Sequence, residues 1–179
     1  MQIDGSPTRL APFNPTCSQA QHTAISMLQL EDDDVLFDVG CGDARLLVQA
    51  ASAVENLRCV GIEMDPVLVS RANASISALD PGVASRIEVR LGDALDEETL
   101  HAQPIGLPQA TAVFVYLLPK GLQLVKPILE ETARKGTTGK KLRVVSYMFS
   151  IRGWEPVVVD RTTKGDCALY LYEYGKSFT

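Results

Sequence analysis

The chain has 179 residues, 46% of them hydrophobic and 22% charged, which suits one domain whose core needs neither disulfides nor metal. Its net charge of −5 disfavours nonspecific attraction to nucleic acid phosphates. The four cysteines, Cys17, Cys41, Cys59 and Cys167, form no C-x-x-C pair and stand apart from His22 and His101, so free thiols are expected and a zinc site is not.

In chain order, Ser6–Pro15 carries three prolines and reads as part of an extended N-terminal arm over residues 1–15, with one domain over residues 16–179. Thr16–Leu30 has helical spacing. Val35–Val39, Arg58–Glu63, Ile87–Leu91, Ala112–Leu118 and Leu142–Phe149 are short apolar, β-branched runs that read as strands buried on both faces. Asp43–Val54, Pro66–Leu79 and Lys120–Arg134 lie between them as helices. Asp65-Pro66 supplies a cap followed by a first-turn proline, and Gly136 punctuates the end of the Lys120–Arg134 helix. Lys140, Lys141 and Arg143 form the densest basic cluster and read as the solvated start of a strand. The alternation breaks at the end: Pro156–Asp160 and Cys167–Tyr174 are strand-like, with too few residues between them for a crossover helix. The expected fold is α/β, a Rossmann-like doubly wound sheet of seven strands, mostly parallel with a C-terminal antiparallel hairpin. No apolar run approaches the length of a transmembrane helix.

The turn after the first strand reads Asp38-Val39-Gly40-Cys41-Gly42-Asp43-Ala44-Arg45. Gly40 and Gly42 let the backbone turn sharply and approach a ligand closely. Such a turn is nonspecific alone, but Glu63 and Asp93 end the next two strands. Glu63 is suited to ribose hydroxyls and Asp93 to an adenine amino group; Met64 and Ala94 sit beside them. Three acids at the carboxyl ends of three successive strands argue for a nucleoside cofactor. Asp38 and Asp43 bracket the glycines, which suits a cationic ligand and repels a pyrophosphate. S-adenosylmethionine (SAM) carries a sulfonium and an ammonium and no phosphate.

Asp38-Val39-Gly40-Cys41-Gly42, Gly61-Ile62-Glu63 and Gly92-Asp93 resemble the first three motifs of the class I, seven-strand SAM-dependent methyltransferases. Ala44 stands where the usual pattern has a third glycine. Pro12-Phe13-Asn14-Pro15-Thr16, Val115-Tyr116-Leu117-Leu118-Pro119, Val145-Ser146-Tyr147-Met148-Phe149 and Gly153-Trp154 are further similar to a subgroup of minimal methyltransferases. That subgroup includes the eukaryotic mitochondrial protein-lysine methyltransferases and bacterial relatives. The resemblance implies SAM as cofactor, held by Thr16, Asp38, Gly40, Cys41, Gly42, Asp43, Glu63, Met64, Asp93, Ala94 and Tyr116. It implies methyl transfer to a protein lysine, with Tyr116 aligning the substrate. Thr16 is equally suited to cap the helix that follows.

Pro119, Tyr147, Phe149 and Trp154 are the candidates for the substrate pocket, Trp154 as a residue of its lip. Aromatic faces attract methylated ammonium groups, although strand alternation sends about half of these side chains into the core. Without an Asn/Asp-Pro-Pro-Tyr motif, a nucleic acid base is a poor acceptor, and no nucleic acid partner is expected. A small-molecule methyltransferase and a non-catalytic SAM-fold binding module are the alternatives. The Tyr172/Lys176 spacing of a short-chain dehydrogenase falls on a strand, where it lacks the helix that pair requires. Met1–Leu10 resembles no targeting segment, so the expected location is cytoplasmic or, by resemblance, mitochondrial.

Overall fold

Each apolar run forms one strand of a single seven-stranded sheet. The computed structural model describes residues 15–163 and 167–175. The elements are α1 (Ser18–Leu28), β1 (Val35–Val39), α2 (Arg45–Ala53), β2 (Arg58–Glu63), α3 (Pro66–Ser77), α4 (Pro81–Ala84), β3 (Ile87–Leu91) and α5 (Glu97–His101). A 3-10 turn (Leu107–Gln109), β4 (Ala112–Val115), α6 (Pro119–Lys135), β5 (Leu142–Tyr147), β6 (Val158–Asp160) and β7 (Leu169–Tyr174) follow. The strand order is β3-β2-β1-β4-β5-β7-β6, with β1 to β5 parallel and β7 antiparallel to both of its neighbours. The connections reverse direction between β1 and β4, which opens a crevice at the carboxyl ends of those strands.

Both faces are covered. Leu28, Leu47, Ala50 and Ala72 from α1, α2 and α3 share one apolar cluster with Leu36, Phe114 and Val145. Leu100, Leu107, Leu122, Val125 and Leu129 from α5, the 3-10 turn and α6 share the other with Phe37, Val113 and Val144. Consecutive strand residues therefore face two different apolar layers, which is why these strands show no polar alternation.

Several boundaries differ from the sequence reading. β4 ends at Val115 rather than Leu118 because its partner at that register, Val39, is the last residue of β1. Tyr116, Leu117 and Leu118 are thereby freed from the ladder. β5 likewise ends at Tyr147, and Met148 turns off it with a left-handed φ of 67°. α4, α5 and the 3-10 turn were not anticipated, since pieces of three to five residues are too short to show a period. The capping reading of Thr16 is corrected: Cys17 is the N-cap, and the buried Thr16 instead offers its carbonyl to Gln21 Nε2 at 2.6 Å.

The basic cluster is not simply solvated. Arg143 pairs with the buried Asp34 at 2.6 Å and donates to the carbonyls of Leu28 and Gln29. Lys140 reaches Glu31, Asp33 and Asp34, and Lys141 reaches Glu173. Residues 1–14 of the expected arm lie outside the described residues. No helix among the described residues is long and apolar enough to cross a membrane.

Candidate functional site

At the end of β1 the chain enters three left-handed positions, Gly40 (φ 85°), Gly42 (φ 58°) and Ala44 (φ 59°). The N–H groups of Gly40 and Cys41 both donate to the Ile62 carbonyl, at 2.9 and 3.0 Å, which straps the turn to β2. Ala44 is fully buried at the start of α2, in a conformation that costs a non-glycine residue roughly 1–2 kcal/mol. Gly61 makes this close approach possible. A Cβ there would lie 2.6 Å from Cys41 Sγ and 2.9 Å from Leu47 Cδ1. Gly61→Ala is therefore expected to cost about 1–3 kcal/mol of stability, measured by urea denaturation, and to displace the glycine turn.

The acids play different parts. Glu63 binds the turn: Oε2 accepts from the Gly42 N–H, and Oε1 accepts from the N–H groups of Met64 and Asp65, each at 2.9 Å. Asp93 accepts from the Leu95 N–H at 2.9 Å. Asp43 is paired with Arg45 at 2.5 and 2.8 Å, and that hydrogen bond holds its carboxyl below the usual range. The electrostatic reading of the turn is thus corrected for Asp43, because its charge is largely neutralised within the loop.

Asp38 is the unusual member. It is 3% exposed, and its carboxyl receives no hydrogen bond among the described residues. Burial first, then the negative charges of Glu63 and Asp43, push its pKa up to about 8. Burial, Asp38 and Glu63 likewise hold the Cys41 thiol well above its ordinary range, which disfavours its thiolate. A buried acid among acids, without a cation, would be favoured in its charged form by a positive charge placed beside it.

These groups line one cavity of about 270 Å³ over the carboxyl ends of β1, β2, β3 and β4. Every residue assigned from sequence to the cofactor lies on its wall, as does Phe149. The other substrate candidates do not. Pro119 is exposed at the first turn of α6, outside the lining. Tyr147 is buried beneath Tyr116, with the rings edge to face at 4.8 Å.

Trp154 is a correction to the lip assignment. It is 6% exposed, stacks on Tyr174 at 4.7 Å, meets Tyr172 at 5.4 Å and donates from Nε1 to Glu130 at 3.0 Å. The apolar layer beneath α6 claims it because β7, and not a loop, lies alongside. Trp154→Phe is expected to cost about 1–2 kcal/mol in denaturation and to leave the Michaelis constants unchanged. The dehydrogenase pairing also lacks support: Tyr172 is buried and its hydroxyl accepts from the Ile151 N–H, while Lys176 lies outside the described residues.

Sequence reading missed Phe114, Leu117, Leu118 and Met148, which line the cavity at the ends of β4 and β5, Phe114 in register beside Asp38. The apolar run predicts a strand through Leu117 and Leu118, and nothing in the sequence announces the left-handed Met148. The Tyr116 hydroxyl donates to Met148 Sδ at 2.8 Å, joining the ends of the adjacent strands β4 and β5. Among the described residues no group of three or more His, Cys, Asp and Glu side chains gathers to hold a metal.

Residues 38–158 match the ANTKMT methyltransferase domain. The chain is 30% identical over 167 residues to a protein-lysine N-methyltransferase of Saccharolobus islandicus (strain REY15A), covering 92% of this chain and 94% of that one. It is similar to the structure of an RNA methyltransferase from Salinibacter ruber in complex with S-adenosyl-L-homocysteine, with a TM-score of 0.75 and 29% identity over 93% and 97% of the two chains. A precorrin-6y C5,15-methyltransferase from Geobacter metallireducens GS-15 shares the fold at a TM-score of 0.63 and 18% identity, over 90% of each chain.

Proposed function

The chain belongs to the ANTKMT methyltransferase domain family and is a SAM-dependent methyltransferase, and from that premise we propose that its acceptor is the side-chain amine of a protein lysine. The observation that carries this reading is that the cavity's acids stand at the ends of β1, β2 and β3, while its aromatic side chains Tyr116 and Phe149 follow β4 and β5. Asp38 would hold the ammonium of SAM, Glu63 a ribose hydroxyl and Asp93 the adenine amino group, and Thr16 would stand by the methionine portion. A carboxylate has about four acceptor positions, and backbone donors use three of those on Glu63, so it has room for one strong ribose bond.

Bound SAM supplies an electrophilic methyl group on its sulfonium. The chain's own residues must align an amine with it and favour the amine's neutral form, because an ammonium has no lone pair. Tyr116, Met148 and Phe149 lie on the wall where an amine would approach, and apolar surroundings lower a lysine's pKa. The bond to Met148 Sδ and the edge contact with Tyr147 hold the Tyr116 ring as a fixed guide.

The relative named for lysine methylation supports this acceptor; the relative named for RNA favours a second reading. Against RNA stand the net charge of −5 and the engagement of Lys140, Lys141 and Arg143 by acids. Incubation with radiolabelled SAM and cell extract decides between them. Label that survives nuclease, is lost on protease treatment and migrates as methyl-lysine after hydrolysis is the expected result. Label confined to RNA or to small molecules overturns the lysine reading, and no label with bound SAM points to a binding module.

A further inference from the structure

The outermost strand, β6, has β7 on one side and no strand on the other among the described residues. Val157, Val158 and Val159 are 56%, 47% and 42% exposed there. Free edges are ordinarily protected by charged side chains within the strand, most often lysine. Here the only charge within β6 is Asp160 at its last position, none interrupts Val157–Val159, and Glu155 precedes and Arg161 follows them. Glu155 and Arg161 are exposed and make no ion pair among the described residues.

The order Glu155-Pro156-Val157-Val158-Val159-Asp160-Arg161 is complementary to its own reverse. We propose that β6 pairs antiparallel with β6 of a second copy of this chain, about a two-fold axis at Val158, joining the two sheets into one. In that register Val158 faces its own counterpart, Val157 faces Val159, and Glu155 of each copy lies opposite Arg161 of the other. Directly opposed side chains in an antiparallel pair are close enough for apolar contact and ion pairing. A slip of one residue sets Val157 against Asp160 and Pro156 against Arg161, so both the apolar contacts and the ion pairs select the Val158 register. Pro156 stands opposite Asp160 and removes one backbone donor at each end of the ladder, leaving its centre intact.

The arrangement is independent of the acceptor. Asp160 pairs with Leu169, and Leu169 with Tyr147 at the carboxyl end of β5, so β6 points the same way as β1 to β5. An antiparallel copy then opens its cavity at the opposite end of the joined sheet, and neither copy contributes to the other's site. Activity per chain is unchanged by dissociation.

Sedimentation velocity over a concentration series tests this. The wild-type chain is expected to be dimeric at about 100 µM and to dissociate on dilution, as a small interface does. Val158→Lys sets two like charges against each other on the axis and is expected to give monomer at every concentration, with thermal stability and methyl transfer per chain unchanged. Glu155→Arg and Arg161→Glu are each expected to weaken the dimer roughly tenfold, and the double exchange to restore it. A wild-type monomer throughout, a dimer indifferent to Val158→Lys, or a double exchange no better than the single variants would each overturn the proposal. Methylation assays run on the same samples report separately on the acceptor.

Discussion

Glu63→Ala is expected to weaken SAM binding by on the order of 100-fold and to lower thermal stability at the same time. A carboxylate bond to a ribose hydroxyl is charge-assisted, worth roughly 1.5–3 kcal/mol, and its loss accounts for the affinity. The stability loss has a different origin. Glu63 takes the N–H groups of Gly42, Met64 and Asp65, so alanine leaves three backbone donors to find water and frees the glycine turn from the end of β2. Glu63→Gln separates the effects, since the amide has only one acceptor oxygen and must release some of those donors while keeping the volume. Isothermal titration with SAM, beside denaturation without it, is the measurement. Unchanged affinity in a folded Glu63→Ala variant would remove Glu63 from the cofactor assignment.

Asp38→Asn is expected to reduce SAM affinity by at least tenfold at pH 8 and to abolish its pH dependence. In the folded protein Asp38 titrates near 8, against an ordinary value of 3.8, because of burial and of the charges of Glu63 and Asp43. Between about pH 4 and pH 8 the folded state therefore holds a proton that the unfolded state has lost. The contribution of Asp38 to stability is full below pH 4 and declines as pH rises through that window, by at most about 1.4 kcal/mol per unit. Cofactor binding runs the other way. A cationic group requires the ionised carboxyl, so the proton must leave, and affinity rises by up to tenfold per unit as pH approaches 8. Titrating SAM at pH 6, 7 and 8 with both proteins checks this. A flat wild-type profile would mean that the ligand's cation is seated elsewhere.

The glycine turn and the acids that line the cavity could be read ahead of the structure because these parts are local. Gly40 and Gly42 mark a turn by their backbone freedom, and Glu63 and Asp93 mark strand ends by following apolar runs. The part proposed for the acceptor could not. Trp154 after Gly153 does lie in a loop, but looks like a lip residue until β7 is laid beside it, and Tyr147 looks like a pocket residue until Tyr116 covers it. Met148 and Leu118 reach the cavity only because the β4 and β5 ladders stop where their neighbours stop. The partition of charge was equally hidden. Asp38 and Asp43 are both aspartates flanking one glycine turn, and only the position of Arg45 leaves one neutralised and the other alone.

By itself, then, the sequence determined the strand and helix periods, the position of the glycine turn and the acids that end β1, β2 and β3, because dihedral preference and hydrophobic spacing act over a few residues. Tertiary structure alone decided that β7 lies inside β6, that Trp154 is core, that Met148 faces the cavity and that burial raises the pKa of Asp38. Those outcomes depend on neighbours distant along the chain, through ladder ends, burial and unpaired charge, which no local pattern encodes.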